Sequence, residues 1–174
     1  MKITVLILAA VMLAGCAGDN NEDQAPRKLA EYPIRDLQGV ISRSGIELDR
    51  DISSDGNGSI RIEVTEPGKF FLYETGDLDV ENARLSYGAS IRTRDIKGKV
   101  YLEMLCGFPG KGEFFSRGMA NPLTGTNEWS SQEISFLLRE GENPDNIKLN
   151  IVAEGTGTVW VDEIRLTASA IDGR

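Results

Sequence analysis

From Ile34 to Ala168 apolar and polar residues alternate with a period of two, in short runs broken by Gly, Asn, Asp and Pro. Successive side chains of an extended strand point to opposite faces, so the pattern predicts strands with one buried and one wetted face. Ser59–Val64 sets Ile60, Ile62 and Val64 on one face, and Leu85, Tyr87, Ala89 and Ile91 stand against Ser86, Gly88, Ser90 and Arg92. Further runs are Lys69–Thr75, Lys99–Phe108, Glu113–Arg117, Ser130–Arg139, Ile147–Glu154 and Thr158–Thr167. Turn residues separate them at Asp55-Gly56-Asn57-Gly58, Pro67-Gly68, Gly98, Pro109-Gly110, Asn143-Pro144-Asp145 and Gly155-Thr156-Gly157. No stretch keeps a helical period. Eight or more strands in about 135 residues predict an all-β, two-sheet antiparallel β-sandwich of jelly-roll type.

The N-terminus has a different pattern. After Lys2, an apolar run from Ile3 to Leu13 ends in Leu13-Ala14-Gly15-Cys16. That run is short of the roughly 20 apolar residues that span a bilayer and fits the core of an export signal. The small-residue site before Cys16 resembles a bacterial lipoprotein signal. The resemblance implies removal of residues 1–15 and a palmitate-type lipid modification of Cys16, hence membrane attachment in the cell envelope. Position 17 is Ala rather than the Asp that resembles an inner-membrane retention signal, which favours the outer membrane in a Gram-negative organism. Residues 16–33, with Asp19, Asn20, Asn21, Glu22, Asp23 and Pro26, are too polar to repay their ordering and read as a flexible tether. The remaining division is a sandwich at 34–168 and a tail at 169–174.

Composition narrows the chemistry. The 19 Lys and Arg against 27 Asp and Glu leave a formal charge of −8, which disfavours nucleic acid as a partner. Histidine is absent, which excludes His-based triads and His metal sites. With Cys16 lipidated, Cys106 is the one free thiol, and its apolar run Val100–Phe108 reads as core. A hydrolase would need a pair of carboxylates at a set separation, and no acidic pair has motif support, so a non-catalytic role is expected.

The segment GTGTVWVDEIRL, Gly155–Leu166, follows Ile147–Val152 and the earlier GTNEWSSQEISF, Gly125–Phe136. Together with Asp55–Val64 and Ala83–Leu105, these resemble galactose-binding-like carbohydrate-binding modules over about residues 34–168. The resemblance implies the sandwich fold, a glycan or envelope partner, and in many members a structural Ca2+ between the early loop and the last strand. Asp162 matches the acidic position of that last strand. Calcium takes hard oxygens, which Asp36, Asp51 and Asp55 with nearby loop carbonyls would add. The alternative is that these acids solvate their loops.

For a ligand, alternation selects residues facing away from the core. Arg92 and Glu103 are suited to hydrogen-bond hydroxyls, Tyr101 to form a wall, and Asn150 and Glu133 to contribute from neighbouring strands. A second candidate surface is the pair of loops at Phe108–Phe115 and Arg117–Gly125, with Phe114, Phe115, Arg117 and Asn121. Trp160, flanked by aliphatic residues in the fold motif, and Trp129, whose counterpart in the resembled family packs at a strand entrance, read as core rather than as sugar platforms. Two functions follow: binding of a neutral glycan or envelope partner, or a structural or protein-interaction scaffold without a sugar site.

Overall fold

The computed structural model describes residues 25–171. Nine strands follow in order: β1 Arg27–Tyr32, β2 Ile46–Asp49, β3 Ser59–Val64, β4 Gly68–Gly76, β5 Ala83–Phe108, β6 Gly112–Arg117, β7 Leu123–Leu138, β8 Asn146–Ala153 and β9 Thr156–Ala170. All pair antiparallel in one curled sheet that folds over itself into a sandwich.

The fold turns on β5. Its first half, Ala83–Lys97, lies between β9 and β7, and its second half, Val100–Gly107, pairs with β8 and β6. The runs expected as two strands, Leu85–Ile91 and Lys99–Phe108, are therefore one strand bent at its middle. Likewise Gly155-Thr156-Gly157 joins no hairpin: β8 and β9 follow each other along the same edge of β5 in nearly continuous register, from Gly107↔Asn146 to Ala83↔Ala170. Both partners bend at one level. There a Cβ on Gly98 would lie 1.9 Å from the Glu154 carbonyl oxygen, and one on Gly155 would lie 1.8 Å from that of Lys97. No side chain fits such an approach, and Gly98 at φ 134° and Asp95 at φ 55° turn the chain through it.

The bend brings two inner faces together. Leu85, Tyr87, Ala89 and Ile91 of the first half pack in one core with Leu102, Met104 and Cys106 of the second, joined by Ile60, Ile62, Leu149, Ile151, Val159, Val161, Ile164 and Leu166. Each such fully buried aliphatic side chain contributes about 1.5–3 kcal/mol. The first layer is β2-β3-β9-β5-β7, with β1 on β9 beyond β3, and the second is β4-β8-β5-β6.

Two boundaries differ from expectation. Arg27–Tyr32, assigned to the tether, is β1 and pairs with Ile164–Ala168, because Leu29, Ala30 and Tyr32 find apolar cover that their polar neighbours conceal in the sequence. At the other end β9 continues through Ser169 and Ala170 opposite Arg84 and Ala83. The signal segment and Cys16 lie outside the described residues. Cys106 is fully buried, and burial pushes its thiol pKa up to about 12, which leaves it inert as a nucleophile.

Candidate functional site

Facing away from the core, the second layer carries one row in register across four strands: Phe71 of β4, Asn150 of β8, Glu103 of β5 and Arg117 of β6. Their neighbours Leu149, Ile151, Leu102 and Met104 point inward, so alternation turns the row outward. Glu103 is nonetheless fully buried. Lys69 Nζ lies 2.5 Å from its Oε1, and Arg117 Nε donates to its Oε2 at 2.6 Å. Asn150 Nδ2 donates to Oε1 at 3.2 Å, while the buried Oδ1 of Asn150 has no hydrogen-bond partner. Burial alone would raise the Glu103 pKa, but Lys69, Arg117 and Asn150 outweigh it and hold the carboxyl below its ordinary value.

Aromatic rings flank this polar row. Phe71 is 37% exposed with Lys69 Nζ 5.8 Å from its ring centre, and Phe115 is 58% exposed beneath the Arg117 guanidinium at 4.3 Å. Tyr101, two residues before Glu103 on β5, turns its hydroxyl to Glu154 Oε1 at 2.8 Å. The face thus offers two apolar ring surfaces and cationic N–H donors within a few residues of one another, around a buried carboxylate and amide. Tyr101, Glu103 and Asn150 share this side of the sheet, but all three are buried. Lys69 and Phe71 are not apparent from sequence, because β4 carries a bulge between Phe71 and Tyr73 that breaks its alternation.

Arg92 does not join them. The bend in β5 places it on the outside of the first layer, where it pairs with Glu128 at 3.3 Å. There Arg92 and Arg94 cover the ring of Trp160, at 6.0 and 5.1 Å, and Trp160 Nε1 donates to Asp49 Oδ2 at 2.8 Å. Burial pushes the Asp49 carboxyl up, but Trp160 and the Ile52 and Asp51 amides pull it below its usual range. Trp160 is 2% exposed, so it is no platform, yet it sits outside the central core under its own arginine lid. Trp129 is half-buried on β7. Glu133, on the same layer as Arg92, lies 3.8 Å from Arg165 and far in register from Asn150.

The four aspartates considered for calcium are not gathered. Asp162, fully buried at a bulge of β9, accepts at Oδ2 from Ser54 N at 2.7 Å, Ser53 Oγ at 3.1 Å and Asp55 N at 3.3 Å, and at Oδ1 from Glu163 N at 2.8 Å. Asp55 closes its own loop, receiving Asn57 N at Oδ1 and Asn57 Nδ2 at Oδ2. Asp36 accepts from Gln38 N, and Asp51 contributes its amide to Asp49. Among the described residues no three acidic or thiol side chains come together as a metal cage.

No family model matches the chain and no curated protein matches it. Solved structures do. The CBM22-1–GH10 modules of Clostridium thermocellum endo-1,4-β-D-xylanase 10B, complexed with xylohexaose, match with TM-score 0.62 at 10% identity, over 86% of this chain and 30% of that one. The CBM22-1 xylan-binding domain of Paenibacillus barcinonensis Xyn10C matches with TM-score 0.57 at 11% identity, over 85% of this chain and 98% of that one. TmCBM61 in complex with β-1,4-galactotriose matches with TM-score 0.53 at 15% identity, over 80% and 97%. At such identities the likeness is one of fold: the chain is an antiparallel β-sandwich similar to carbohydrate-binding modules.

Proposed function

We propose that the chain is a non-catalytic glycan-binding module, held in the cell envelope by a lipid on Cys16, and that its ligand is a neutral glycan seated on the outer face of the second layer. The row Phe71–Asn150–Glu103–Arg117 carries this reading. Sugar rings present C–H faces and hydroxyl edges, and the exposed rings of Phe71 and Phe115 suit the former. Lys69 and Arg117 suit the latter as donors. Glu103 orients its two cations and offsets part of their charge. Its lowered pKa is the reverse of what a general acid for glycoside cleavage requires.

A glycan array probed with residues 17–174, followed by titration calorimetry on the best binder, tests the reading. Binding that weakens in Phe115→Ala and Arg117→Ala supports it. Binding that is lost in Arg92→Ala but survives both would move the site to the other layer. For the anchor, Cys16→Ser should abolish labelling by a palmitate analogue and shift the protein out of the membrane fraction; unchanged labelling rejects lipidation at Cys16.

The interaction-scaffold reading has its own observation: Phe114 of β6 and Leu137 of β7 are exposed and line one concavity with Phe108 and Phe136. A module that binds no arrayed glycan but recovers one envelope protein through this patch would favour it.

A further inference from the structure

The family resemblance implies a cation at the last strand, and the donor set around Asp162 does not fit one. A calcium ion needs several oxygen lone pairs directed at it from about 2.3–2.6 Å. Here the oxygens of Asp162 already face two amides of the 53–55 segment, the Ser53 hydroxyl and the Glu163 amide. Those N–H dipoles point their positive ends at the carboxylate, so they stabilise an anion there and would oppose a cation in the same place. Of the carboxylates flanking the 53–55 segment, Asp55 is turned into its own loop and Asp49 to Trp160.

The next residue takes a second hold. Glu163 sits at φ 50° in the β9 bulge, which turns it to the surface beside Asp162. Its Oε2 receives the Ser54 hydroxyl at 2.9 Å and the Ser90 hydroxyl of β5 at 2.6 Å. Behind these contacts Ser53 Oγ accepts the amides of Gly56 and Gly58, so the β2–β3 loop is folded around one hydroxyl. We propose that Asp162 and Glu163 form a metal-free latch, fastening the β2–β3 loop to β9 by hydrogen bonds where a divalent cation would otherwise do so. The sandwich then needs no calcium to close that loop.

The test is thermal melting of the full-length protein in EDTA and in millimolar calcium chloride, with limited proteolysis of the 52–58 loop alongside. The wild type should melt at one temperature in both solutions. Asp162→Asn keeps the shape but sets an amide donor against the loop amides, and should melt several degrees lower, equally in both. Ser53→Ala and Ser54→Ala, which leave Asp162 intact, should speed loop cleavage several-fold without creating a calcium response, and they carry the test if Asp162→Asn does not fold. A wild-type melting temperature raised by calcium, with the rise lost in Asp162→Asn, would overturn the latch. So would loop cleavage unchanged in both serine variants.

Discussion

The two outer faces of the sandwich are built from similar materials and end in opposite states. On the first layer an aromatic ring, Trp160, is closed in by Asp49, Arg92 and Arg94, and the 53–55 segment is drawn onto Asp162 and Glu163 beside it. On the second layer the charged centre, Glu103, is the buried part, and the rings of Phe71 and Phe115 stay open at either side. The chain satisfies its own groups on the first face, whereas the second keeps apolar rings at the surface. Aromatic content therefore does not identify a binding face; what matters is whether the protein itself already covers the ring.

The largest expected effect lies on the closed face. Trp160→Ala removes a fully packed indole and leaves Asp49, Arg92 and Arg94 without their shared partner, so the domain should lose about 3–5 kcal/mol in denaturant unfolding. Glycan affinity measured below the melting range should hold. Selective loss of binding in a protein of normal stability would reverse the assignment of the two faces.

Glu103→Gln should cost less, about 1.5–3 kcal/mol and toward the lower end, because Lys69 and Arg117 keep about a third of their surface in water. This effect should depend on pH with a defined sign. The native carboxyl has a lowered pKa, so its stabilisation is complete above the unfolded value of about 4.3 and is lost as pH falls through the native one. Unfolding measured at neutral pH and again in acid should show the gap between wild type and Glu103→Gln closing on the acid side. A gap independent of pH would mean that shape rather than charge holds the row together.

On the open face Phe115→Ala should leave stability within about 0.5 kcal/mol, since the ring is exposed, yet weaken glycan binding. The lost stacking is worth roughly 0.5–1.5 kcal/mol, a few-fold to tenfold in Kd by calorimetry. Smallest of all, Arg92→Ala should leave Kd unchanged and lower stability by about 0.5–1 kcal/mol through the uncovered indole. A fall in affinity there would make the closed face part of the site.

Alternation along the chain was enough to place Ile60, Ile62, Leu85, Tyr87, Leu149 and Leu166 in the core and to turn Glu103, Asn150 and Tyr101 away from it, because side-chain direction in a strand is local geometry. The early misreading of Arg27–Tyr32 has the same root: an edge strand with three modest apolar residues shows its burial only once β9 is beside it. Which outward residues share a face is not local. It depends on the register of β4 on β8 and of β8 on β5, and on the bulge at Phe71 that no periodicity announces.

The sequence by itself determined that this chain is all-β and which residues of β3, β8 and the first half of β5 face the core. Only the tertiary structure decided that Arg92 and Glu103, on one strand, look out from opposite layers. The reason is the corner where Gly98 and Gly155 approach too closely for any side chain: it folds the β5 ladder over and turns one outside into two.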